Sequence, residues 1–137
     1  MTPIILMAVS AGILLTLGTI HLVYTFWGPR LLPRDPALHA SMSKISPILT
    51  KETTMWRAWV GFNASHSMGA ILFGLIYGFL ATAHGDLLFN SSYLLAVGLV
   101  MLIGYCALGK LYWFRIPFAG ISVSLFCYVA SIVSSLA

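Results

Sequence analysis

The chain has 137 residues, 60% of them hydrophobic and only 7% charged, with seven Lys and Arg against three Asp and Glu. A soluble domain carries about 25% charged residues, so this composition excludes an ordinary water-facing surface. In hydrocarbon the backbone must satisfy its own hydrogen bonds, which leaves helices or closed barrels. Long unbroken apolar runs then exclude barrel strands, whose inward and outward residues alternate over segments of about ten.

The first apolar run covers about residues 3–27, long enough to cross a bilayer with some tilt. Pro3 suits a first helical turn, and Gly28-Pro29 ends the run. Ala8-Val9-Ser10-Ala11 imitates a signal-peptidase site. No positive region precedes it and the run continues past it, so the first helix reads as retained. Gly18, His21 and Thr25 fall on one stripe, with Tyr24 beside them.

The connection over residues 28–53 holds Pro29, Pro33, Pro36 and Pro47, so no single helix crosses it. Ala37 to Ile45 reads as a short amphipathic turn of helix, with Leu38, Met42 and Ile45 on a side suited to the membrane interface.

The second span covers about residues 54–83 and opens with the collar Trp56, Arg57 and Trp59. Its first half carries Asn63, Ser65, His66 and Ser67, and polar groups at such depth need a partner or a role. His66, Ala70, Gly74 and Gly78 repeat every four residues. Gly74 and Gly78 form a small-xxx-small step that admits another helix backbone, either from this chain or from a homo-oligomer or larger membrane complex.

His84-Gly85-Asp86 reads as a turn, and Asn90-Ser91-Ser92 supplies capping residues for a third span over about residues 92–109. Residues 110–115 read as a compact interfacial loop with aromatics between Lys110 and Arg115. A fourth span over about residues 116–136 carries Gly120, Ser124, Cys127, Ser131 and Ser135 on one stripe that should face the bundle. The expected fold is therefore all-α, a four-transmembrane-helix bundle forming a single integral membrane domain over residues 1–137.

Every Lys and Arg lies in the first or third connection or at the adjoining helix ends: Arg30, Arg34, Lys44, Lys51, Arg57, Lys110 and Arg115. The positive-inside rule places loops 28–53 and 110–115 in the cytoplasm and both termini on the non-cytoplasmic side. Membrane lipids are the expected partners of these cations, and the net charge requires no nucleic acid.

Helix rise converts sequence into depth. His21 lies roughly 9 Å in from Trp27, Asn63 roughly 9 Å and His66 about 14 Å from Arg57. Tyr105 lies about 8 Å from Lys110, and Ser122 and Ser124 about 10 to 14 Å from Arg115. The spans thus place polar groups in one layer: His21, Asn63 and His66, supported by Tyr24, Ser67, Tyr105 and the serines of the fourth span.

Four readings of that layer stand open. One is a structural hydrogen-bond cluster in which His21 and Asn63 satisfy each other and Ser65 or Ser67 bonds back to its own helix. A second is a ligand-binding pocket for a lipidic or small hydrophobic molecule, using His21, Tyr24, Asn63, His66, Ser67 and Tyr105, with Gly61, Gly69 and Gly120 leaving room. A third is a b-type haem held by His21 and His66, although their depths differ by about one helical turn. The fourth is an enzyme with an intramembrane His as general acid or base and Asn63 as orienter, acting on a lipidic substrate. No Gly-x-Ser-x-Gly or His-Glu-x-x-His motif names a catalytic residue, and the acids Asp35, Glu52 and Asp86 all lie in loops or at helix ends. No metal shell is expected, because Cys106 and Cys127 have no metal-binding spacing and the spans hold no acid. The structural cluster carries the most weight among these readings. The leading functional expectation is a non-enzymatic membrane protein that binds a lipidic ligand or packs against a larger partner, with no cofactor, and with enzyme and haem protein as its rivals.

The block Met55-Trp-Arg-Ala-Trp-Val-Gly-Phe-Asn-Ala-Ser-His-Ser-Met-Gly69, with Gly18-Thr19-Ile20-His21, resembles a group of small bacterial four-helix integral membrane proteins of uncharacterised function. The resemblance implies the four-span layout and a bacterial inner membrane. It implies no activity, ligand or catalytic residue.

Overall fold

The four long apolar runs all form helices. The computed structural model describes residues 1–136. It contains α1 (Thr2–Phe26), α2 (Pro36–Met42), α3 (Met55–Ala83), α4 (Gly85–Phe89), α5 (Ser92–Tyr112) and α6 (Arg115–Leu136). α1, α3, α5 and α6 are the helices long and apolar enough to cross a membrane.

Helix ends follow local chemistry. The Trp27 N–H still donates to the Val23 carbonyl, and Gly28 then turns the chain at φ +87°, a left-handed geometry that glycine adopts without a Cβ penalty. Thr54 caps α3 by accepting from the Arg57 N–H at 3.3 Å. Ser91 caps α5 by accepting from the Leu94 N–H at 3.3 Å. Two boundaries differ from the sequence reading. The span expected to end at residue 109 continues to Tyr112, so the loop placed at 110–115 shrinks to Trp113 and Phe114. Lys110, Leu111 and Tyr112 have ordinary helix propensity, and no Pro or Gly stands between Gly109 and Trp113 to stop them. The turn at His84 likewise contains the short helix α4, whose Leu88 is fully buried.

Two compact units can be distinguished: Met1–Leu17 together with the chain from Ala70 onward, and Gly18–Gly69. The first has segments of α1, α3, α5 and α6 around one core. Met7, Ala11 and Leu14 form the core stripe of α1, while Ala70, Phe73, Tyr77 and Ala81 form that of α3. Leu102 and Tyr128 enter from α5 and α6. These residues recur at spacings of three and four, as one helix face requires. Against lipid, burying an apolar side chain gains little, so close packing and interhelical hydrogen bonds carry the association.

Close approach is built at small residues. A Cβ on Gly74 would lie 2.6 Å from the Leu15 Cβ and 2.7 Å from the Ala11 carbonyl oxygen. Gly74 therefore seats α1 of the same chain. On α5, a Cβ on Gly98 would overlap the Tyr128 hydroxyl and lie 2.7 Å from the Tyr77 ring. Both tyrosines reach this point to donate to α5 carbonyls, Tyr77 to Leu94 at 2.7 Å and Tyr128 to Leu95 at 3.0 Å.

α1 and α6 run antiparallel, joined by a serine ladder. Ser131 donates to the Pro3 carbonyl at 2.6 Å, and Ser124 donates to the Ser10 carbonyl at 2.9 Å. Since Ser124 has a single hydroxyl proton, the 2.9 Å contact between the two hydroxyls is donated by Ser10. Ser10, Ser124 and Ser131 are fully enclosed and all satisfied. The stripe expected on the fourth span is thus buried at Ser124 and Ser131, and half-buried at Gly120, Cys127 and Ser135.

Large apolar side chains such as Phe26, Leu72, Phe79, Val100, Phe126 and Val133 stay exposed along the long helices. Monomeric soluble proteins rarely leave apolar patches beyond a few hundred Å² uncovered. Lipid is the medium that makes this surface stable.

Candidate functional site

The unit Gly18–Gly69 holds the last turns of α1, the connection with α2, and the first half of α3. On α3, Trp59, Asn63, His66 and Ser67 fall on adjoining stripes at helical spacing. Asn63 and Ser67 are buried, whereas His21 and His66 are each partly exposed.

Asn63 is the hub. Its amide nitrogen donates to the Trp59 carbonyl one turn earlier at 2.8 Å. A backbone carbonyl only accepts, so this contact orients the amide and leaves Oδ1 for His21, whose Nε2 lies 3.0 Å away. The His21 Nε2 must therefore carry a proton. Around the hub, Ser67 donates to the Asn63 carbonyl at 2.8 Å and Thr25 to the His21 carbonyl at 2.8 Å. Ser65 donates to Phe62 at 3.0 Å. The His21–Asn63 bond and the back-bonded serines match the structural-cluster reading of the layer.

His66 extends this hub. Its ring meets that of His21 edge to face, centroids 5.7 Å apart, although the two were placed a helical turn apart in depth. Phe62 stacks near-parallel to His66 at 6.4 Å. Side-chain reach and helix packing close the depth difference that rise alone produced. Tyr24 turns to Arg30, whose guanidinium lies 4.3 Å from the ring centroid. Tyr105 belongs to the other unit, where it packs against the core. Ser124 also makes its bonds there, with Ser10, and Ser122 donates to Phe118 at 2.8 Å. The structure thus groups His21, Asn63, His66 and Ser67 of the expected site.

The arrangement offers imidazole and amide groups. Among the described residues no group of three His, Cys, Asp or Glu is placed to hold a metal ion. An axial role for His21 through Nε2 would require it to leave Asn63. What the cluster can do chemically is exchange hydrogen bonds with a polar group brought alongside His66.

Sequence reasoning missed Ser10 as a partner of Ser124, having read Ser10 only as part of a cleavage-site imitation. A usable signal was present: Ser10 stands on the same stripe as Met7 and Leu14, and a polar residue on a buried stripe needs a partner. Gly98 also passed unnoticed, because an isolated glycine on an apolar helix names no neighbour. The chain matches no known protein family, no characterised protein and no solved structure.

Proposed function

We propose that the protein is a non-enzymatic membrane protein that binds a lipidic or small hydrophobic ligand with a polar head beside His66. The observation that carries this reading is the coupling of a satisfied hub to a partly open histidine. Asn63 and His21 hold each other in place, and the His66 ring stands against them flanked by exposed Phe62. A Cβ added at neighbouring Gly61 would meet nothing within 4 Å, so the surface here has room for a chain or ring. A preorganised polar group beside apolar surface is the usual composition of a ligand site.

The distribution of Lys and Arg supports both termini on the non-cytoplasmic side of a bacterial inner membrane, with the basic connections inside. The His66 end of the cluster then lies in the cytoplasmic half of the bilayer.

Native mass spectrometry of the protein released from nanodiscs, with an optical spectrum of the same sample, tests the proposal. The expected result is a retained lipid-sized mass that is lost in His66→Ala while helicity is unchanged. A bare protein refutes ligand binding. A haem mass with a Soret band refutes this ligand class and favours axial roles for the histidines.

A further inference from the structure

The connection between α1 and α3 ends in a feature at odds with a water-facing loop. Pro47 to Thr50 is a tight turn, closed by the Thr50 N–H on the Pro47 carbonyl at 3.3 Å. Its central residues are Ile48 and Leu49, 108% and 93% exposed. Turns in water place Gly, Asn, Asp or Ser there, because those side chains suit turn backbones and solvent. Here two adjacent branched apolar side chains project from the tip.

The turn is held in place. The Met55 N–H donates to the Ile45 carbonyl at 2.8 Å, closing the neck of the loop on the first residue of α3. Inside the loop, the Glu52 N–H donates to the Thr50 hydroxyl at 3.2 Å. Nearby, Trp59 Nε1 donates to the Leu31 carbonyl at 3.2 Å and His39 packs edge to face on Trp56 at 4.5 Å. The connection is therefore pinned along the first turns of a membrane-spanning helix.

Charge and reach select the occupant. Exposed Lys44 and Lys51 flank the tip, and Arg30, Arg34 and Arg57 belong to the same unit, against Asp35 and Glu52 alone. Asp35 is engaged in capping α2 through the Ala37 N–H. An extended chain advances at most about 3.6 Å per residue, so Ile48 cannot lie more than roughly 11 Å from the neck. The headgroup region is roughly 5 to 8 Å deep on each side. From a neck on the first residue of α3, the tip is within reach of the interface, where apolar side chains enter the acyl boundary and lysines meet phosphates.

We propose that the Pro47–Thr50 turn is an interfacial anchor that inserts Ile48 and Leu49 into the bilayer, with Lys44 and Lys51 binding anionic phospholipid headgroups. Leu38 on α2 and Ile45 at the loop neck are exposed as well.

The test uses the full chain in nanodiscs, with Leu49→Cys carrying an environment-sensitive fluorophore in a Cys106→Ala/Cys127→Ala background. Circular dichroism checks that each variant is folded. With phosphatidylglycerol present, the expected emission is blue-shifted, quenched by brominated acyl chains and protected from iodide. Lys44→Gln/Lys51→Gln should reduce that quenching. Water-like emission in every bilayer overturns the proposal. Protection from iodide without quenching by brominated lipid also overturns it, assigning the tip to a protein partner. Equal insertion in purely zwitterionic bilayers, unaffected by the lysine substitutions, overturns the assignment to anionic lipid.

Discussion

Gly74→Ala is the sharpest test of how the helices are held together. The new methyl would sit 2.6 Å from the Leu15 Cβ, 2.7 Å from the Ala11 carbonyl oxygen and 2.9 Å from the Leu15 Cα. Carbon atoms rest at about 3.5 to 4.0 Å, so α1 must retreat by roughly 1 Å. Two of these contacts are backbone, and no side-chain rotamer relieves them. A gap of that size forfeits about a quarter to a half of the dispersion well at each neighbouring contact. Overpacking of this kind costs about 1 to 3 kcal/mol, and 2 kcal/mol is roughly a thirtyfold loss in the folded to unfolded ratio. Gly78 and Gly12 are internal controls. A Cβ on Gly78 would meet only the Ala11 Cβ, at an ordinary 3.7 Å, and one on Gly12 would meet nothing within 4 Å. Both Ala variants should be neutral or slightly stabilising, since Ala is the better helix former. Reversible unfolding in mixed micelles, titrated with sodium dodecyl sulfate and followed by circular dichroism, reads all three. An unchanged midpoint for Gly74→Ala refutes the close approach. An equal loss for Gly78→Ala shows that the whole step is filled by something other than α1 in this register.

The other perturbations probe hydrogen-bonded contacts. Gly98→Ala should destabilise by about 1 to 3 kcal/mol, and in the Tyr128→Phe background its cost should fall, because the overlapping hydroxyl is gone; strict additivity in the double-mutant cycle contradicts that contact. Tyr128→Phe alone should cost about 0.6 kcal/mol, up to roughly 1.7, the range for membrane hydrogen bonds, in the same titration. In ¹⁵N spectra, His21 of the native protein should show the Nε2–H form, and Asn63→Leu should relax that preference; a native Nδ1–H form with bare Nε2 rejects the hub. Trp59→Phe removes the donor to Leu31, and faster hydrogen exchange in the connection should follow, with no change there if the contact does not hold the loop.

Much of this protein is determined locally. Backbone must be satisfied in lipid, so four long apolar runs can only be helices, and Gly28, Thr54 and Ser91 mark ends by capping and turn chemistry that acts within a few residues. The His21–Asn63 pair was also legible, because isolated polar residues in spans are rare and need one another. The absence of a stop signal after Gly109 was visible too, yet charge and aromatics at Lys110–Tyr112 suggested a loop where the helix simply continues.

Partner choice was decided only in three dimensions. In lipid, the faces turned to neighbours and those turned outward are similarly apolar, so the pattern does not say which helix fills which groove. That α1 seats on Gly74, that Ser10 meets Ser124, and that two tyrosines converge on Gly98 depend on steric fit between segments far apart in sequence. The edge contact of His21 with His66 has the same origin: helix rise sets the height of each Cα, and packing decides where the rings meet.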